Sequence, residues 1–498
     1  MTSHFHRRSF LLGLGATALA SRGLAGAPSA SLHPVARPAS VRAAATSAGA
    51  ADLIAKARLT GTLSYAVADV KSGKVHETHN PTLAQPPASV IKTITALYAL
   101  ETFGGSHRFR TDIIARGTLR NGILDGDLIV LGGGDPTLDT DALADMAADL
   151  KQAGVNEVRG KFIVHDGLLP FVHSIDKNQP DHLGYSPAVS GIALNFNRVF
   201  FEWKREPKGY AITMDARSRR VRPDVGMARM ALSRRAAPVY TYSQRGEVDE
   251  WTVAQGALGK GGGRWLPVRN PAAYVGDVFR TLARSQGIVL KPAKTERGPQ
   301  PTGDVLVRHT SRPLQNIIQG MLKYSNNLTA EMVGLSASVA RGADPRDLRQ
   351  SGTAMAQWAA SALGMRQSRF VDHSGLGDAS RMSPADLVQA LVKVGQRDLL
   401  RPLLKPWALR DKKGRTVKNH PVKVAAKTGT LHFVSGLGGY LTTPDGREMA
   451  FAIFAANLDI RAGLKKQERE RPPGARTWNG RAKILQAQLL ERWAEVYR

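Results

Sequence analysis

Leu63, Tyr65 and Val67 alternate with small or polar residues, and Lys71-Ser72-Gly73-Lys74 turns the chain into a second extended run over 75–79, which predicts a β-hairpin. Beyond Pro87 the period lengthens: Ile91, Ile94, Ala96, Leu97 and Leu100 share one face of a helix predicted over 88–100. A strand is predicted over 127–131, a helix stopped by Gly154 over 141–153 and a strand over 161–165. Strand, helix, strand at this length implies a parallel crossover, in a different domain from the hairpin. Residues 190–265, with a strand-like run over 199–203 and a flexible Gly259-Lys260-Gly261-Gly262-Gly263 stretch, predict a small β-rich insert. From Pro313 the pattern is helical again, and Ser383-Pro384-Ala385-Asp386 predicts a capping box opening a helix that Gly395 ends. A strand over 422–426 is followed by runs over 436–442 and 449–455 that flank Pro444-Asp445-Gly446 as an antiparallel hairpin. The chain closes on an amphipathic helix over 482–496, expected to pack on the sheet rather than anchor in a membrane.

Length and composition narrow the field. The 498 residues suggest about three domains, and 42% apolar with 22% charged residues is an ordinary globular balance. Zero cysteines exclude disulfide frameworks, thiolate metal sites and cysteine nucleophiles. Residues 1–27 have the form of an export signal: Arg7-Arg8-Ser9-Phe10-Leu11, an apolar stretch through Ala20, then Ala25-Gly26-Ala27. The paired arginines predict the twin-arginine route and a periplasmic address. Residues 28–50, rich in Ala, Pro and Ser, are expected to be a disordered lead-in. The net charge of +28 falls to +25 once Arg7, Arg8 and Arg22 leave with the signal. Outside the cytoplasm such a charge points to peripheral contact with an anionic wall or membrane surface, and not to nucleic acid.

Three short motifs could carry chemistry. Ser89-Val90-Ile91-Lys92 opens a helix, and a spacing of three puts hydroxyl and amine on one face. A lysine among apolar neighbours can be deprotonated enough to serve as base, and a helix N-terminus aims N–H groups at a developing oxyanion. Lys427-Thr428-Gly429-Thr430 follows the short predicted strand and offers a cation, a hydroxyl and close backbone to a carboxylate. Ser325-Asn326-Asn327 lies between two helical patterns, where alternate residues present a hydroxyl and an amide to one side; a Tyr324-Ser325-Asn326 register is the alternative. Other constellations are weaker. Adjacent Asp372, His373 and Ser374 cannot easily converge as a triad, His76 and His79 on one strand face opposite ways, and Gly132-Gly133-Gly134-Asp135 lacks the lysine of a phosphate loop. No metal or organic cofactor is called for.

Ser-x-x-Lys, Ser-x-Asn and Lys-Thr-Gly in this order are the active-site set of penicillin-interactive serine enzymes. With Pro87-Ala88 before Ser89, Gly134-Asp135-Pro136, and Ala330-Glu331 after Asn327, the chain from about residue 55 onward resembles the D-alanyl-D-alanine carboxypeptidase/endopeptidases of the low-molecular-mass class C penicillin-binding proteins. The long separation of Ser89 from Ser325 leaves room for that class's insert. The resemblance implies an α/β (α+β) fold: a helix-flanked five-stranded antiparallel sheet in 51–106 and 305–498, interrupted by an insert domain in 107–189 and 266–304 and a nested one in 190–265. It also implies that Ser89 attacks the D-Ala-D-Ala bond of peptidoglycan stem peptides and cross-links, with Lys92 as base, Ser325 as proton relay and Asn327 orienting Lys92 and the substrate amide. Lys427, Thr428, Gly429 and Thr430 would bind substrate: the first two hold its carboxylate, and Thr430 with Ser89 supplies oxyanion N–H groups. β-Lactam antibiotics would be covalent inhibitors. A β-lactamase or a catalytically idle peptidoglycan-binding protein are the rival readings. One departure is local: in Asp372-His373-Ser374-Gly375-Leu376, His373 stands where the resembled loop has glycine.

Overall fold

The computed structural model describes residues 49–409 and 415–497. The export signal, almost all of the lead-in and residues 410–414 of the basic run at 410–423 lie outside the described residues.

A short helix, α1 (Ala50–Ala57), leads into the expected hairpin of β1 (Thr62–Asp69) and β2 (Val75–His79). Asp69 Oδ1 accepts from the Ser72 backbone and hydroxyl, each at 2.7 Å, and so holds the turn. The predicted helix at 88–100 starts with a 3₁₀ turn, Ala88–Ile91, and continues as α2 (Lys92–Phe103). Strands β3 (Arg110–Arg120) and β4 (Ile123–Gly132) follow, then α3 (Thr140–Gln152), β5 (Glu157–Val158) and β6 (Phe162–His165). β4 and β6 pair in parallel, Leu128 opposite Phe162, with α3 as the crossover expected from the sequence.

The region read only as β-rich resolves into β7 (Arg198–Glu206), β8 (Gly209–Asp215), β9 (Ala228–Ser233), β10 (Tyr240–Arg245), β11 (Val248–Ala254) and β12 (Gly261–Pro267). They make two three-stranded sheets, ordered β12-β7-β8 and β10-β11-β9. α4 (Pro271–Ser285), β13 (Ala293–Glu296) and β14 (Asp304–Thr310) complete the β4-β6 sheet, whose path is β13-β6-β4-β3-β14.

The chain then forms α5 (Leu314–Tyr324), α6 (Asn327–Ala340), α7 (Leu348–Leu363) and α8 (Pro384–Gly395), followed by β15 (Lys405–Pro406), β16 (Lys423–Leu431), β17 (Val434–Thr442), β18 (Glu448–Ala456), α9 (Leu458–Ala462) and α10 (Ala475–Val496). The main sheet is antiparallel in the order β15-β16-β17-β18-β1-β2. It has six strands where five were expected, because Lys405 and Pro406 add a two-residue edge, a position where proline's missing N–H costs no ladder bond.

Two cores sandwich this sheet. Along β18, Ala450, Ala452 and Phe454 face α2 and α8, whereas Met449, Phe451 and Ile453 face α10. α10 buries Leu485, Leu489, Leu490 and Trp493 on that second face, each contributing about 1.5–3 kcal/mol. Its apolar side is therefore used on the sheet, and among the described residues no helix is long and apolar enough to cross a membrane. The capping box at α8 is half formed. Ser383 Oγ accepts from the Asp386 N–H at 3.1 Å, but the Asp386 carboxylate turns away to the Gln367 N–H and the Ser368 hydroxyl.

Candidate active site

The turn that presents Ser89 is tight. Ala88 is buried with φ +45°, a left-handed conformation that residues with a Cβ rarely adopt and that functional turns often retain. The space around it is shared with glycines: a Cβ on Gly429 would lie 2.5 Å from the Pro87 carbonyl oxygen, and one on Gly375 would lie 2.0 Å from that of Ala88. β16 and the 372–376 loop can thus close on the serine from two sides.

Lys92 is fully buried one turn below, and its Nζ lies 2.9 Å from Ser89 Oγ, 2.8 Å from Asn327 Oδ1 and 2.6 Å from the Ser374 carbonyl oxygen. Ser325 ends α5 in a left-handed conformation, φ +58°, which aims its hydroxyl at Lys427 Nζ, 3.0 Å away. Asn326 caps α6 by accepting from the Thr329 N–H, and Tyr324 is 74% exposed, so it is Ser325 and Asn327 that face the two lysines. The Tyr-x-Asn register does not describe the site.

β16 extends through Lys427–Thr430 instead of stopping before it. β17 supplies a partner at each position, with Gly436 opposite Gly429, so pairing overrides the weak strand preference of glycine and lysine. Alternation buries Lys427 and Gly429 and leaves Thr428 and Thr430 exposed. Thr430 lines the cleft; Thr428 contributes its carbonyl, which accepts from Lys427 at 2.9 Å, and its hydroxyl is not among the cleft-lining groups.

Burial and then the nearby cation of Lys427 hold Lys92 well below the ordinary lysine range, against the pull of the buried carboxylates Glu331 and Asp372. Lys427 is pushed down to about 8, first by burial and then by Lys405. Glu331 is driven up to about 8 by burial and by Asp372, and Asp372 is raised mainly by burial. This carboxylate pair escaped sequence reasoning because its members come from α6 and a distant loop; Glu331 was noted only as part of a motif. Glu331 accepts from the N–H groups of His373 and Ser374 at 3.0 and 2.9 Å, fixing the loop that carries the carbonyl bound to Lys92.

A cleft of about 890 Å³ opens beside Ser89, Ser325, Asn327 and Thr430. Gln179, Leu183 and Tyr185 line it, and the Tyr185 carbonyl accepts from Asn327 Nδ2 at 2.9 Å. Arg471, Arg476 and Lys483 make part of its wall basic, while Arg461 and Arg469 are tied to Asp378. The weaker constellations dissolve: the Asp372 carboxylate bonds the Gly377 N–H and the Ser380 hydroxyl, His373 meets Ser351, and His76 and His79 stack on Tyr497 and Tyr65.

A buried Ser-x-x-Lys turn closed against a Lys-Thr-Gly edge of an antiparallel sheet defines the penicillin-binding-protein class of fold. Accordingly, the structure is similar to penicillin binding protein 4 (dacB) from Haemophilus influenzae, at a TM-score of 0.70 and 21% identity over 88% of this chain and 99% of that one. The sequence is 29% identical over 403 residues to a D-alanyl-D-alanine carboxypeptidase of Actinomadura sp. (strain R39), covering 74% of this chain and 72% of that protein. It is 24% identical over 430 residues to the D-alanyl-D-alanine carboxypeptidase DacB of Haemophilus influenzae, covering 81% and 87%. The chain belongs to the D-Ala-D-Ala carboxypeptidase 3 (S13) family, whose model matches residues 47–471.

Proposed function

We propose that this enzyme is a periplasmic serine-type D-Ala-D-Ala carboxypeptidase/endopeptidase that works through a Ser89 acyl-enzyme and is acylated by β-lactams. The observation that carries the reading is the set of three partners around Lys92. A neutral amine has two hydrogens and one lone pair. The Ser374 carbonyl and Asn327 Oδ1 can only accept, so they take the two hydrogens, and the lone pair is left for the Ser89 O–H. Lys92 is in this way aimed as a base, and its burial beside Lys427 favours the neutral amine.

Ser89 Oγ attacks the carbonyl carbon of the penultimate D-Ala as its proton passes to Lys92. The N–H groups of Ser89 and Thr430 receive the oxyanion. Ser325, whose oxygen accepts from Lys427, passes its proton to the departing amine and is reprotonated from Lys92, and water then hydrolyses the ester. Lys427 donates to Ser325 and the Thr428 carbonyl and has a third N–H for the substrate carboxylate. Asn327 must exchange the Tyr185 carbonyl for the substrate amide. The size of the cleft and its basic wall suit peptide beyond the terminal D-Ala, including cross-links and acidic wall material. The domain division given above and twin-arginine export belong to the same proposal.

Mass spectrometry after benzylpenicillin tests it. A single adduct on the peptide containing Ser89, lost in Ser89→Ala, is expected. An unlabelled parent protein, or a labelled Ser89→Ala, overturns the assignment.

A further inference from the structure

His373 is fully buried in a loop otherwise committed to the reacting groups. Its own carbonyl accepts from the Thr95 hydroxyl at 2.7 Å, and its neighbour Ser374 supplies the carbonyl bound to Lys92. The imidazole reaches away from the reaction into the packing of α2, α6 and α7. Ser351 Oγ donates to Ser338 Oγ at 2.8 Å, so the 2.7 Å contact of His373 Nε2 with Ser351 is a bond that the ring donates. Nδ1 lies 3.3 Å from Met355 Sδ, and the ring is parallel to Tyr98 with centroids 6.5 Å apart. Gly334 of α6 makes the room: a Cβ there would lie 2.2 Å from the imidazole Cγ. A glycine in mid-helix is costly relative to alanine, and here it mates with a side chain that replaces glycine in the loop.

We propose that His373 is a positioning residue for Lys92: by filling the space over Gly334 and donating to Ser351, it fixes the Ser374 carbonyl that takes one of the two amine hydrogens. The inference rests on Lys92 being the base for Ser89. With that carbonyl fixed, the lone pair has one direction, toward Ser89; with it loose, the amine can rotate. Burial holds His373 at about 3, so the ring is neutral wherever the enzyme works and acts by shape and by one donor. The charged and titratable groups facing Lys92 are Lys427 from β16, Glu331 from α6 and Asp372 from the loop.

The test is the second-order rate of acylation by benzylpenicillin, followed against pH, for the parent, His373→Leu, His373→Gln and Gly334→Ala. Leucine keeps bulk and removes the donor, whereas glutamine can place an N–H near Nε2. Gly334→Ala should favour the helix and act only by displacing the ring. His373→Leu and Gly334→Ala are expected to acylate about ten- to a hundredfold more slowly, with His373→Gln substantially restored. Losing an aligned carbonyl also disfavours the ammonium of Lys92, so the acid limb of the impaired variants should move to lower pH. Partial unfolding lowers the plateau and leaves the limb in place. If His373→Leu keeps both the parent rate and limb, or if leucine and glutamine are equally slow with unmoved limbs, His373 is packing alone and the proposal fails. A parent protein that benzylpenicillin does not acylate overturns the underlying serine reading instead.

Discussion

Lys427, the carboxylate anchor of the proposed mechanism, titrates inside the working range. With a midpoint of about 8, roughly nine in ten of these side chains are protonated at pH 7 and roughly one in ten at pH 9. The charge-assisted bond to a substrate carboxylate contributes about 1.5–3 kcal/mol, so its loss should lower kcat/KM about ten- to a hundredfold. For a peptide ending in D-Ala-D-Ala, kcat/KM should therefore fall along an alkaline limb centred near 8. The parent profile alone does not assign that limb, because Glu331 titrates at about 8 as well. Lys427→Arg separates the two. Guanidinium keeps its charge up to about pH 12, so the variant should lose the limb near 8, with a lower plateau because the fork does not reproduce the bonds to Ser325 and Thr428. The assay is kcat/KM from about pH 6 to about pH 10. A limb that stays near 8 in Lys427→Arg refutes the anchor and moves the titration to Glu331.

The parts of the site carried by short-range pattern were legible in the sequence. Ser89 and Lys92 share a helical turn whatever surrounds them, and Ser325 and Asn327 were placed between two helices by periodicity alone. The hairpins of β1-β2 and β17-β18 showed their alternation because one face or both pack on a core. Less legible was anything whose meaning depends on a distant partner. Lys427–Thr430 has the composition of a loop and becomes strand because β17 runs alongside it. The strands between 190 and 265 are half exposed, so their pattern marks β structure but not its division into two sheets. Glu331, Asp372 and Ser374 stood out in sequence only as motif members, without a role; they acquire one only when α6 and the 372–376 loop meet beneath Lys92. His373 looked like a departure from a glycine loop, and the compensating glycine proved to be Gly334, on another element.

Replacing Arg7 and Arg8 together by Lys should strand the precursor in the cytoplasm, as read by fractionation; normal export would rule out the twin-arginine route. Lys92→Arg should lose acylation by about a hundredfold or more, since guanidinium cannot accept the Ser89 proton; a parent-like acylation rate would remove Lys92 as base. Lys427→Met should abolish turnover of a peptide ending in D-Ala-D-Ala, since it removes the charge and the donors to Ser325 and the Thr428 carbonyl; parent-like turnover would remove Lys427 as the anchor. Gly429→Ala tests the closure of β16 on the nucleophile. The added Cβ would meet the Pro87 oxygen at 2.5 Å and both Ala88 Cβ and the Ser89 nitrogen at 3.1 Å, so strand and turn must part by about 1 Å to regain ordinary contact. Such overpacking costs about 1–3 kcal/mol of stability, but a shift of this size between Ser89 and the strand carrying Thr430 should slow acylation about a hundredfold. Gly480→Ala is the control, for it lies on α10 by the same cleft with open space around it. Benzylpenicillin acylation of the two variants decides the matter: if Gly429→Ala reacts as fast as Gly480→Ala, close approach of β16 to Ser89 is not what the reaction requires.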